Sequence, residues 1–81
     1  MNVQQDEIRQ RIIAVVSEIF GLTPEAVAQG ISPDAVQGWD SEKHVRLVVA
    51  LEEQFGILFD PEEVPELTSL QQMEAIVARH V

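Results

Sequence analysis

The chain has 81 residues, with fourteen Asp and Glu against five Lys and Arg, a net charge of −9, 46% hydrophobic content and no cysteine. That length predicts one domain over residues 1–81, and the apolar content is too high for a disordered acidic tail. The charge balance argues against nucleic-acid phosphates and anionic lipid surfaces as partners, and the missing thiols exclude a disulfide framework or a thiolate metal site.

The stretch from Met1 to Gln10 is polar and mixed in charge, unlike a signal peptide, and no apolar run approaches membrane-spanning length. A soluble, cytoplasmic monomer without membrane insertion is therefore expected. Ile8, Ile12, Val15 and Ile19 then recur at helical spacing, widened by Val16 and Phe20, and Gly21 supplies a left-handed stop.

The joints share a local code. Thr23-Pro24-Glu25, Ser32-Pro33-Asp34 and Asp60-Pro61-Glu62 each set a capping oxygen, a proline suited to a first helical position and an acid near a positive helix end. Apolar pairs at staple spacing flank them: Leu22 with Val27, Ile31 with Val36, Phe59 with Val64. Three short helical turns pinned to the core are predicted. Between the first two main helices this leaves a long structured loop, Leu22 to Asp40, and loops of that length are often functional.

A second main helix is predicted from Ser41 to Phe55, stopped by Gly56. Its middle, Leu47 to Leu51, is apolar nearly all round. That pattern predicts the most enclosed helix of the set, with Val45, Val48, Val49, Leu51 and Phe55 in the core. A short helix comes next, near Asp60 to Val64, limited by Pro65. The last helix is expected to begin at Thr68, with Thr68 and Gln71 as a capping box, and to bury Leu70, Met73, Ile76 and Val77. Strand signals are absent. The fold class is all-α: a four-helix bundle of three main helices and a short third one.

Asp40, Ser41 and His44 are the residue types of a hydrolase triad. At one helix start, however, Ser41 and His44 are expected to point outward, with no nucleophile elbow and no oxyanion hole. His44 and His80 lack ligand-spaced companions, so no metal site is expected and both read as surface side chains. The acids around Asp60 do not fit a calcium loop. Ser41 fits attachment better. Its hydroxyl would be accessible at a loop-to-helix junction, and a phosphodiester there would meet free N–H groups and the positive end of the helix dipole. The plainer alternative is that Asp40 or Ser41 only caps the helix. Trp39 reads as a loop anchor whose indole N–H needs a partner, or as a flank of whatever Ser41 carries. Every charged residue from Glu52 to Glu66 is acidic, which suits either a solvated face or a docking surface for basic partners.

Gly38-Trp39-Asp40-Ser41, then His44-Val45, then Leu47-Val48-Val49-Ala50-Leu51-Glu52-Glu53-Gln54-Phe55-Gly56-Ile57, strongly resembles the acyl carrier protein family. The resemblance covers nearly the whole chain. It implies that Ser41 carries 4′-phosphopantetheine, transferred from coenzyme A by a phosphopantetheinyl transferase that recognises the Asp40-Ser41 pair. It further implies that the arm's thiol holds cargo as a thioester, and that the carrier, itself no enzyme, presents it to loading and processing enzymes of fatty acid, polyketide or specialised lipid biosynthesis. In some carriers the bundle interior shelters the acyl chain. Departures from the family pattern narrow this. Glu42 stands where an exposed Leu, Met or Ile is usual, and Lys43 and Arg46 lie on a face commonly acidic in carriers of primary fatty-acid synthesis. The pattern looks more like a discrete carrier of a specialised pathway. Docking is expected on Glu42, Lys43, Arg46, Glu52, Glu53, Glu62 and Glu63. An aminoacyl or peptidyl carrier loaded by an adenylating ligase, or an unmodified helical interaction domain, are the alternatives.

Overall fold

The computed structural model describes residues 3–81, with side chains from Gln5 onward; the start of the polar stretch read from Met1 lies outside them. The main elements are α1 (Val3–Phe20), α2 (Pro24–Ala28), α3 (Ser41–Phe55) and α4 (Leu70–His80), with a single 3-10 turn at Val64–Glu66. No strand occurs among the described residues, and the fold is the all-helical one expected. No helix among them is long and apolar enough to cross a membrane.

α1 is the element on which α2, α3 and α4 all pack. Its apolar stripe meets them through Ile8, Ile12, Val15 and Val16, which are buried, while Ile19 and Phe20 are half-buried against the same core. α4 buries Leu70, Met73, Ile76 and Val77 as its spacing predicts. Full burial of a Leu or Ile side chain is worth about 1.5–3 kcal/mol, so this shared interior is what holds a chain of this size folded.

α3 is not the most enclosed helix. It buries Leu47, Val48 and Leu51, but Val45 is 58% exposed and Val49 45% exposed. α3 packs mainly on α1, so only one side of its apolar girdle is covered. Those two valines, one turn apart, stand on the side left facing solvent.

Two helix ends follow the glycine rule. Gly21 follows α1 at φ 66°, and Gly56 closes α3 at φ 66°, ψ 39°, a conformation in which a Cβ is strained. The proline joints divide. Thr23 caps α2 through its hydroxyl, which accepts from the Ala26 N–H at 3.2 Å, and Ser32 does the same for Ala35 at 3.2 Å. The loop Leu22 to Asp40 thus contains a five-residue helix and a capped turn. At the third joint the roles reverse. The Asp60 N–H donates to Glu63 Oε1 at 2.8 Å, so the downstream acid reaches back to the joint. The short helix expected over 60–64 is a turn running into Val64–Glu66. Pro65, at the second position of that 3-10 turn, sits where no N–H is needed.

α4 starts later than its predicted cap. Thr68 still belongs to the preceding turn, its N–H donating to the Glu66 carbonyl, whereas Ser69 has the extended backbone of a cap (φ −143°, ψ 157°). The pair is therefore Ser69 with Gln72: the Gln72 N–H donates to Ser69 Oγ at 3.1 Å, and Gln72 Oε1 accepts from Thr68 Oγ1 at 3.0 Å and Ser69 Oγ at 3.3 Å.

Candidate functional site

The junction at the start of α3 separates two roles that the sequence left open. Asp40 is the cap: its Oδ1 accepts from the Lys43 N–H at 2.9 Å, and its carbonyl accepts from the His44 N–H at 2.9 Å. Ser41 is the first helical residue. Its side chain is exposed, and its hydroxyl makes no hydrogen bond to any described residue. The N–H groups of Ser41 and Glu42 have no carbonyl partner, as first-turn donors do not.

Below that hydroxyl the loop is tied to the bundle. Trp39 is half-buried and packs on Phe20, with ring centroids 4.7 Å apart. The expected loop anchor is thus in place, and its N–H has a partner: Nε1 donates to His44 Nδ1 at 3.1 Å. An indole nitrogen only donates, so Nδ1 is the acceptor, the ring proton is on Nε2, and Nε2 donates to the Val64 carbonyl at 2.7 Å. His44 is therefore a half-buried tie between α3 and the 3-10 turn, not a surface side chain. With both ring nitrogens engaged and the Asp40 carboxylate on the Lys43 N–H, the three residues do not assemble a triad. His80 is likewise half-buried: Nε2 donates to Glu63 Oε1 at 2.8 Å, and its ring meets Phe59 edge-on at 5.6 Å.

The residues expected to face partners also divide. Lys43 Nζ donates to the Ile19 carbonyl at 3.2 Å, a cation on the negative end of α1. Glu52 Oε2 accepts from the Phe59 N–H at 2.9 Å, fixing the chain after α3. The Glu63 side chain, 14% exposed, receives the Asp60 N–H and the His80 ring, with Arg79 Nη2 at 3.6 Å. The Asp60 N–H first, then the His80 ring, and the nearby Arg79 guanidinium hold its carboxyl below the ordinary carboxylate range against the opposing effect of burial. Glu42 and Arg46 are exposed and pair loosely at 3.8 Å, while Glu53 and Glu62 are exposed and make no such contact.

An open groove of about 560 Å³ runs beside Ser41, walled by Trp39, His44 and Val45 on one side and by Val64, Pro65 and Thr68 on the other, with Pro33 at its edge. Its second wall had no signal in the sequence, because the bond from His44 to the Val64 carbonyl, which joins the 3-10 turn to α3, is a tertiary contact.

A family model described as a phosphopantetheine attachment site matches residues 10–77. The chain belongs to this phosphopantetheine-attachment family. It is a phosphopantetheine carrier protein, and its cofactor is covalently attached 4′-phosphopantetheine. The junction fits that group. A free, exposed hydroxyl stands at the positive end of a 15-residue helix with two unpartnered N–H groups beside it, which suits a phosphodiester, and a largely apolar groove adjoins it.

Proposed function

We propose that Ser41 is the attachment residue, accepting the arm from coenzyme A through a phosphopantetheinyl transferase, with Asp40 holding the helix start that the transferase reads. The observation that carries this is the division of roles at the junction: Asp40 takes over capping, so the Ser41 hydroxyl is exposed and unengaged. When bound, the arm's terminal thiol holds cargo as a thioester. The chain's own residues then act by presentation. α3 fixes the anchor, and the surface around it selects the enzymes that approach.

Acyl intermediates of a specialised fatty acid, polyketide or lipid pathway are the cargo this reading favours. The partner surface combines the exposed part of α3 with the acidic segment beyond its C-terminus: Val45 and Val49 as an apolar stripe, Glu42 and Arg46 beside it, Glu53 and Glu62 at its far end. Lys43, Glu52 and Glu63 leave that surface because their side chains are bound within the protein. The charged pair Glu42–Arg46, in place of an apolar tip after the serine, supports the second reading, an aminoacyl carrier loaded by an adenylating ligase.

The test is intact-mass analysis after incubation with coenzyme A, Mg²⁺ and a promiscuous transferase. One phosphopantetheine adduct on the wild type and none on Ser41→Ala is expected. An adduct that survives Ser41→Ala would overturn the assignment. Loading assays with amino acids against acyl donors separate the two cargo readings.

A further inference from the structure

Ser41 and His44 are three residues apart on α3 and so share a face. The ring that lies a turn below the hydroxyl is the only described side chain that hydrogen-bonds to both groove walls: it accepts from Trp39 Nε1 at 3.1 Å and donates to the Val64 carbonyl at 2.7 Å. Trp39 in turn packs at a tilt on Phe20 at the end of α1. An unbroken path therefore runs from α1 through the indole and the imidazole to the 3-10 turn, passing beneath the candidate anchor. Val45, Val64 and Pro65 give the groove its apolar lining. Val64 and Pro65 belong to a turn of one 3-10 repeat, which has little regular hydrogen bonding of its own to hold it against α3.

From this geometry we infer that His44 is a positioning residue for the arm: it latches the 3-10 turn to α3, and the latched groove receives the branched, apolar pantoate part of 4′-phosphopantetheine. The inference rests on Ser41 being the attachment point. Chemically the match is simple. The phosphodiester stays at the helix start with the free N–H groups, and the paired methyl groups next along the arm meet Val45, Val64 and Pro65 instead of water. The latch also ties shut the seam between α3 and the turn, directing the rest of the arm outward along the surface.

The experiment compares wild type, His44→Ala, His44→Gln and Trp39→Phe, each loaded with the arm and followed by intact mass and by NMR. Glutamine can accept from the indole and donate to the carbonyl, so it is the conservative rescue; Trp39→Phe keeps an aromatic ring on Phe20 but removes the N–H. In the apo wild type, the imidazole nitrogen spectrum should show the proton on Nε2. In the loaded wild type, cross-relaxation contacts should link the pantoate methyl groups to Val45 and Val64. Those contacts should be lost in His44→Ala, weakened in Trp39→Phe and retained in His44→Gln, while all four proteins carry the adduct on Ser41. Contacts that persist in His44→Ala, or that are missing from the loaded wild type, overturn the latch and leave the attachment assignment standing. A wild type that takes no adduct overturns both.

Discussion

His44 and His80 both tie the irregular stretch after α3 to a helix, but by different physics. The His44 joint is built from neutral groups, an indole N–H and a backbone carbonyl, with a tilted aromatic contact, Trp39 on Phe20, behind it. The His80 joint is built on a carboxylate, Glu63, with the Asp60 N–H and the Arg79 guanidinium completing its surroundings. A net charge of −9 therefore does not translate into a uniform acidic surface. Part of the acid in the segment 52–66 is structural, engaged with backbone N–H groups, the His80 ring and the Arg79 guanidinium. The acids whose carboxylates stay free there, Glu53, Asp60, Glu62 and Glu66, are a smaller set.

The comparison breaks first at Trp39. Trp39→Ala removes the packing on Phe20 and orphans His44 Nδ1, and should cost about 2–3 kcal/mol in denaturant unfolding. A loss within about 0.5 kcal/mol, the range of ordinary surface changes, would show that the neutral joint is ornamental. The charged joint is tested through pH. Because the folded carboxyl of Glu63 titrates below its ordinary value of 4.5, its contribution is fully present above that value and is lost as pH falls through the lower, folded one. Glu63→Gln should therefore flatten the acid limb of the stability profile. Trp39→Ala should lower the profile while keeping that limb, and equal flattening by both variants would erase the distinction between the joints. The smallest effect on stability is expected from reversing Glu53 and Glu62 to Lys, within about 0.5 kcal/mol of wild type. That double reversal should still weaken turnover by partner enzymes and change its salt dependence. Unchanged kinetics would assign both acids to solubility.

Helix ends were legible wherever one residue carries the physics. Gly21 and Gly56 stop α1 and α3 because only glycine takes their conformation cheaply, and Asp40-Ser41 marks the start of α3 because it brings a cap. The α4 stripe was legible because its apolar residues fall on one face. α3 was not, since an apolar girdle does not reveal which side is covered; burial of Leu47 and exposure of Val45 are decided by where α1 lies. The α4 cap was misplaced by one residue because Thr68 and Ser69 are both good caps, and only the path of the preceding turn chooses between them. At the candidate site, the Asp40 cap and the exposed hydroxyl of Ser41 could be read from the chain. The groove, the histidine tie and the inward turn of Lys43, Glu52 and Glu63 could not, because each depends on a carbonyl or N–H brought close by tertiary packing.

Lys43 shows how such a contact limits what the sequence can become. Its ammonium ends on the Ile19 carbonyl, so the residue two places after Ser41 also closes the end of α1. Any drift toward an all-acidic face around the serine must give up that clasp, leaving a helix end open and a like charge beside it. The charge two places after the serine is therefore set by the end of α1 and not by the surface around Ser41.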